Sequence, residues 1–548
     1  MRAIPATVSR RHRPLRRRER RESLYRIGPG LLAGLCLGLL ALGPGLRRGF
    51  LLSYDMVFVP RMPFSTALPG LAPPRAVPSD LVIAAASRVV PGDVAQKLVL
   101  LAIFVLACAG TAALLDREPL LARLAGGVFY AWNPYVAERL IIGQWALLLG
   151  YAGLPWVLRA VVSPDQAPWR WTGRLCLSLL PAVIGGFAAM AITALVLVPA
   201  ALLIKSTRRT AIALAVLAAA SLPWLIPSLQ HTVYADPAGV AAFAARADTP
   251  FGSVGSLLML GGIWNAQTVP KGYGGAWSAL WLALAIVALA GYLAGVRPAR
   301  RWPGLGIAAL AGLLIGCIGV TAAGRDLLRS VTDAWPGAAV LRDAQQFVAP
   351  LALAEAAGFG VAVAWAMKPR RKPGDPDRPS ADRPSADRPG VALGVLALLA
   401  PVLLLPGLAW GAAGRLKPAS YPAAWLATAR MIDASPAHGE VLLLPWETYR
   451  RPSWNHGEVV LDPWSRLLTR PVIWNDGTKV GDVELAPDDP RARRLDAAIR
   501  GGGPLTAVLR AAGVSFVLDD ADAPDLARLP GAVVLVDQSG LTVYRLPG

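Results

Sequence analysis

The chain has 548 residues, enough for several soluble domains, yet 55% of it is hydrophobic and only 16% is charged, with a mean hydropathy of +0.47. Repeated apolar runs near the length of a bilayer crossing exclude a string of soluble domains and point to a polytopic α-helical membrane protein. A net charge of +20 invites a nucleic-acid reading, which the placement of the charge removes.

Residues 1–26 hold ten arginines against Glu19 and Glu22. Other basic clusters are short and lie between apolar runs: Lys205, Arg208 and Arg209; Arg297, Arg300 and Arg301; Lys368, Arg370, Arg371 and Lys372. Lys and Arg stay on the cytoplasmic side of membrane proteins, so this pattern reads as topology. No nucleic-acid partner is expected. The first apolar stretch runs into arginines and Phe50-Leu51-Leu52, not a small-residue cleavage site, so it reads as a span and not as a cleaved signal.

In chain order, 1–26 reads as a basic cytoplasmic tail and 27–413 as the membrane domain. Its apolar runs place spans at 27–45, 97–115, 120–137, 141–162, 211–229, 276–296, 303–321, 350–367 and 391–413. The stretch 174–204 is long for one crossing and short for two. Basic residues flank both of its ends, so two short spans joined near Gly185 and Gly186 satisfy the charge rule. That gives about 11 transmembrane helices, with the N-terminus inside and the C-terminal domain outside. Ten crossings would leave that domain in the cytoplasm.

Three long segments then face the exterior: 46–96, 230–275 and 322–349. Within the first, "SDLVIAAASRVVPGD" is amphipathic and suits the interface. Residues 368–390 are a cytoplasmic loop whose five-residue repeat, "DRPSADRPSADRPG", builds no core and reads as disordered.

From 414 to 548 the charge is nearly balanced, with 15 basic and 16 acidic residues. "GEVLLLPW" (439–446) and "AGVSFVLDD" (512–520) read as buried strands, 489–502 as a helix ending in glycines, and 532–546 as a hairpin turning at Ser539 and Gly540. A small extracytoplasmic α/β domain results. Cys36, Cys108, Cys176 and Cys317 all lie in apolar runs and read as packing residues. The histidines at 12, 231, 438 and 456 show no ligand spacing, so no metal-ligating residues are assigned.

The residues able to carry chemistry lie on the exterior face. Asp55 follows the first span, where a carboxylate reaches water and is either an ordinary interfacial residue or a functional one. Asp80 lies in "VPSDLV", Glu138 and Arg139 in "NPYVAERLIIGQW", and Arg342 and Asp343 in "VLRDAQQFVAP". Acids and arginines converging there suit a phosphate-bearing lipid and an acceptor hydroxyl. Each also has a plain alternative: Asp80 as a helix cap, Glu138 and Arg139 as helix-end pairing residues, Arg342 and Asp343 as polar contacts at a helix start. His456 and Glu458 in "SWNHGE" have no accompanying nucleophile.

"GGVFYAWNPYVAERLIIGQWALLLGYAGLPWVL" resembles the third and fourth spans of GT-C superfamily membrane glycosyltransferases, in the style of the YfhO-like proteins and actinobacterial arabinofuranosyltransferases. "VLRDAQQFVAPLALAEAAGFGVAV" resembles a later segment of the same proteins. "YDMVFVPRMPF" stands where those enzymes carry an acid in the first exterior loop. The likeness covers residues 27–413, and only Asp55 carries over, as the catalytic acid. The paired acids of several GT-C families are absent after the first span, so no second acid is assigned.

The resemblance implies transfer of a sugar from a polyprenyl-phosphate donor to a cell-envelope glycan or lipid acceptor at the exterior face of the plasma membrane. Asp80, Glu138, Arg139, Arg342 and Asp343 would bind donor phosphate or acceptor, and a divalent cation (Mg or Mn) is a candidate cofactor shared by Asp55 and the phosphate. The competing readings are a non-catalytic membrane scaffold or lipid-handling protein and, third, a secondary transporter. The absence of an internal repeat, and spans that hold almost no buried charge, disfavour the transporter.

Overall fold

The computed structural model describes residues 13–65, 77–164, 167–230, 236–296, 301–368, 388–520, 526–538 and 540–547, with backbone only over 13–26. Most of the loop expected at 368–390 and the turn residue Ser539 fall outside these residues. Helices α1 (Arg13–Leu42), α2 (Ser79–Ala86), α3 (Gly92–Leu114), α4 (Leu120–Ala131), α5 (Pro134–Ile141), α6 (Trp145–Val161), α7 (Pro168–Gly185), α8 (Phe187–Leu202) and α9 (Thr207–Gln230) build the first part. Two short helices follow, α10 (Gly239–Ala242) and α11 (Gly252–Leu258). After them come α12 (Ser278–Val296), α13 (Leu305–Ile318), α14 (Ala322–Ala334), a 3-10 segment over Pro336–Val348, α15 (Ala349–Ala366) and α16 (Arg388–Leu404).

Every expected span contains a helix, but fewer are long enough to cross alone. Among the described residues five stretches qualify by length and apolarity: Ile27–Leu46, Gly92–Leu114, Thr207–Leu229, Ser278–Val296 and Gly337–Ala366. The count reaches seven if each of two bent pairs is one span. Those pairs are Leu305–Ile318 with Ala322–Ala334, bent by 94°, and Pro389–Leu404 with Pro406–Gly414, bent by 61°. The expected exterior loop 322–349 is therefore helical throughout its first half. The break expected at Gly185 and Gly186 is present: α7 ends at Gly185, and Gly186 takes φ +75°.

Burial orders the bundle. The Gly337–Ala366 stretch is 94% buried and Thr207–Leu229 only 17%, so the first is the centre and the second an outer helix. α15 packs against α4, α12 and α13. A Cβ on Gly291 would stand 2.2 Å from the Gly358 carbonyl oxygen, and one on Gly358 would stand 2.0 Å from that of Ala288. Small residues thus let α12 and α15 approach backbone to backbone, the usual means of tight helix packing where apolar burial gives no net drive.

The C-terminal region combines short strands with helices. Short strands β1 (Phe50–Leu51) and β2 (Pro418–Ala419) pair antiparallel and join it to the segment that follows α1. Its sheet uses β3 (Glu440–Leu444), β6 (Val472–Ile473), β9 (Val514–Asp519), β10 (Val533–Gln538) and β11 (Leu541–Arg545), in the order β10-β11-β9-β3-β6. β3 runs parallel to both β6 and β9, and β11 antiparallel to β9 and β10. Two-residue ribbons β4 (Tyr449–Arg450) with β5 (Val460–Leu461), and β7 (Lys479–Val480) with β8 (Val483–Glu484), lie outside it.

Strand alternation divides the sheet's side chains between two cores. Leu442 and Val517 join Leu495, Ile499 and Leu509 beneath the helices Pro490–Arg500 and Thr506–Ala511. Val441, Leu443, Phe516 and Leu518 belong instead to the core continuous with the helical bundle. The domain is docked onto the bundle through half of its own sheet.

Candidate active site

The site begins with a helix break. The Asn133 side chain accepts the Val136 amide at 3.0 Å and donates to the Phe129 and Tyr130 carbonyls at 3.0 and 2.9 Å. With Pro134 at the first helical position this is a strong N-cap, so the span expected over 120–137 ends at Ala131 and α5 starts anew. α5 carries Glu138 and Arg139, both enclosed: Glu138 is 0% and Arg139 1% exposed.

Glu138 and Arg139 sit 3.8 Å apart, carboxyl Oε2 to guanidinium Nη1, and the guanidinium lies over the Tyr135 ring at 4.6 Å. Asp248, from the segment before α11, meets Glu138 carboxyl to carboxyl. Two carboxylates cannot donate to each other; one shared proton turns the contact into a hydrogen bond. Burial, and then the Asp248 charge, push Glu138 well above the usual carboxylate range against the pull of Arg139. Burial also raises Asp248, although the Gly262 and Ile263 amides donate to its Oδ2 and oppose the rise. The pair therefore holds a proton where isolated carboxylates would not.

The 3-10 segment adds Arg342 and Asp343. Asp343 accepts from Gln144 Nε2 at 3.3 Å and lies within electrostatic range of Arg139 and Arg342. Arg342 is half-buried over the Phe243 ring, 5.0 Å from its centre, and makes no ion pair among the described residues. Several buried polar atoms here have no hydrogen-bond partner among the described residues: Arg139 Nε and Nη1, Asp343 Oδ1 and the whole Gln345 amide. Leaving such a group unpaired costs about 1–3 kcal/mol, so their concentration at one place calls for an explanation.

Asp55 stands beside this cluster. Its amide donates to the Ile142 carbonyl at the end of α5 at 3.0 Å, and its Oδ1 accepts the Tyr449 hydroxyl at 2.8 Å. Gly143 makes the approach feasible: it adopts φ +87°, and a Cβ there would fall 2.2 Å from the Met56 amide nitrogen. Asp80 is elsewhere, in the first turn of α2, where it accepts from Arg466 Nε at 3.0 Å. The structure thus brings Glu138, Arg139, Arg342 and Asp343 together, sets Asp55 next to them, and uses Asp80 to fasten the C-terminal domain.

Behind Tyr449 lies a buried ionic cluster. Arg450 donates to Asp462 Oδ2 through Nε at 3.2 Å and Nη2 at 2.9 Å, and its Nη1 is 3.6 Å from Asp520 Oδ1. Burial pushes Asp520 up, Arg450 pulls it back and Asp462 adds to the push; the net is a rise from 3.8 to about 7. The cluster ties the β4–β5 ribbon, and with it Tyr449, to the end of β9.

Sequence reasoning missed Asp248, Gln345 and Glu355. Nothing around Asp248 forms a motif. Glu355, fully buried in α15 and within electrostatic range of Tyr151 and Tyr273, corrects the expectation that the spans hold almost no buried charge. A lone acid in an Ala/Gly-rich span was its signal. Among the described residues no group of three His, Cys, Asp or Glu side chains is arranged to hold a metal ion, and one Asp248 oxygen is already committed to two amides. These donors do not fit a dedicated Mg or Mn cage.

Long apolar helices gathering acids and arginines under a docked strand-containing region define the class: a multi-pass membrane protein. No known family profile and no curated protein matches the sequence, but solved structures do. The chain superposes on the arabinofuranosyltransferase AftD from Mycobacteria with a TM-score of 0.60 at 16% identity, covering 96% of this chain and 40% of AftD. Two structural classes of an AftD mutant give 0.59 and 0.50, at 16% and 17% identity, with 96% of this chain covered in each and 42% and 41% of theirs. The chain spans about two-fifths of the length of these proteins, and at this identity the likeness is one of fold.

Proposed function

We propose that the chain is an integral membrane glycosyltransferase that moves a sugar from a polyprenyl-phosphate donor onto a cell-envelope glycan or lipid at the exterior face. The observation that carries this reading is the cluster of Glu138, Arg139, Asp248, Arg342 and Asp343, with its unpartnered buried polar atoms, in a GT-C-like bundle. Positive-inside charge supports an exterior C-terminal domain and about eleven crossings.

In this reading Asp55, half-buried and oriented by Tyr449, takes the proton as the acceptor oxygen bonds to the anomeric carbon. The bond from that carbon to the donor phosphate breaks, and the phosphate leaves with the electron pair. Arg342, which has no ion pair of its own among the described residues, and the unsatisfied N–H groups of Arg139 meet its charge. The neighbouring carboxylates favour the positive charge that develops on the sugar. The arabinofuranosyl unit in AftD's name makes that sugar the first to test.

A scaffold without catalysis is the second reading. It is favoured by Asp55 to Tyr449 and Asp80 to Arg466, exterior acids that both hold the C-terminal domain. Asp55→Asn separates the two. As an enzyme, the variant should express normally while transfer from a labelled polyprenyl-phosphate arabinose falls at least about 100-fold. Unchanged transfer would refute Asp55 as the base. Absence of transfer by the wild type with each lipid-linked sugar tried would favour the scaffold.

A further inference from the structure

An open cavity of ≈ 180 Å³ lies where the turn after β1, the segment 265–269 and the C-terminal domain meet. Its polar walls come from Tyr54, Gln267, Arg415, Arg451 and Glu458, residues scattered over some 400 positions of sequence. Tyr54 holds φ +45°, a conformation that costs an L-residue on the order of 1 kcal/mol. The C-terminal domain keeps it there: the Tyr54 amide donates to Val459 at 2.7 Å and its carbonyl accepts from Leu461 at 2.8 Å. Its hydroxyl donates to Gln267 Oε1 at 2.7 Å, so the ring forms a fixed wall with Tyr449 edge-on at 5.8 Å.

The remaining polar groups differ in commitment. Arg415 spends Nη1 on the carbonyls of Gln267 and Val269, at 2.7 and 3.3 Å, which braces the rim. Arg451 is exposed and makes neither an ion pair nor a side-chain hydrogen bond among the described residues, yet its charge acts on Tyr54. Glu458 is half-buried with Lys417 4.0 Å away.

A ligand here meets donors from the arginines, an acceptor carboxylate from Glu458 and an aromatic wall. An anion is disfavoured by Glu458 and a cation by the two arginines. A hydroxyl both donates and accepts, so a polyol satisfies both sets of groups. The volume lies below the roughly 300 Å³ of drug-sized sites, which limits the occupant to about one ring. Tyr54 immediately precedes Asp55.

We infer that this cavity is a carbohydrate subsite that takes one ring of a neutral glycan, the acceptor's end in the reaction proposed above. The acceptor role rests on that proposal; the binding does not. The test is saturation-transfer NMR on the full chain in detergent, with arabinan and mannan tetrasaccharides and with inorganic phosphate as probes. At least one oligosaccharide should bind, with affinity falling about tenfold in Arg451→Ala and in Glu458→Gln and persisting in Asp55→Asn. No oligosaccharide binding, or binding unchanged in both cavity variants, would overturn the inference. So would phosphate displacing the sugar and binding more tightly in Glu458→Gln, which would make the cavity an anion site. Retained binding in a chain that transfers no sugar would sink the enzymatic reading alone.

Discussion

Replacing Asp520 by Asn tests whether the buried ionic cluster limits the stability of the C-terminal domain. The Asp520 side chain is 7% exposed and that of Arg450 6%, so solvent screens the cluster little. Raising the carboxyl from 3.8 to about 7 means the folded state binds a proton that the unfolded state has released throughout that window. Stability therefore falls as pH rises from about 4 to about 7. Some three pH units at about 1.36 kcal/mol each put the ceiling near 4 kcal/mol.

Asn keeps the shape and removes the titration, while Arg450 retains its two bonds to Asp462. Below about pH 4 the variant should match the wild type, and by pH 5 it should already lead by about 1.6 kcal/mol. At pH 8 it should be more stable by about 2–4 kcal/mol. Hydrogen exchange of the β3 and β9 amides in the full chain, corrected for intrinsic rates, reads this as roughly 30-fold or greater added protection at pH 8. A variant less protected than the wild type at pH 8, or one with the same pH slope, would refute the reasoning.

Two further outcomes follow from the pairings. Glu138→Gln, which imitates the protonated acid that the Asp248 contact favours, should cost under about 1 kcal/mol, whereas Glu138→Ala should cost about 3–5 kcal/mol by leaving buried partners uncompensated; thermal unfolding of the purified chain distinguishes them. The stability contributed by this acid is lost as pH rises above the ordinary carboxylate range, so the Gln variant should flatten the acid side of the melting profile. Asp80 and Arg466, with side chains 11% and 18% exposed, should couple by about 1 kcal/mol in a double-mutant cycle read by hydrogen exchange of α2. Additive single variants would show that the pair does not fasten the domain.

Much of the architecture was legible in the sequence because apolar length and strand alternation are local signals. The break at Gly186, the strands β3 and β9 and the hairpin β10–β11 fall where the sequence places them. Glu138 and Arg139 share one helix, and Arg342 and Asp343 one segment. The span count was less legible: the 94° bend after Ile318 and the Asn133 cap depend on what each helix end packs against.

The sequence by itself determined a membrane bundle with a small α/β domain and marked Asp55, because hydropathy, charge bias and position relative to a span are written in neighbouring residues. Tertiary structure alone decided what those acids touch. It moved Asp248 against Glu138, committed Asp80 to Arg466 and set Tyr449 on Asp55 from 394 positions away. A carboxylate's chemistry depends on its burial and on the charge a few ångströms off, and both are set by segments that meet only when the chain folds.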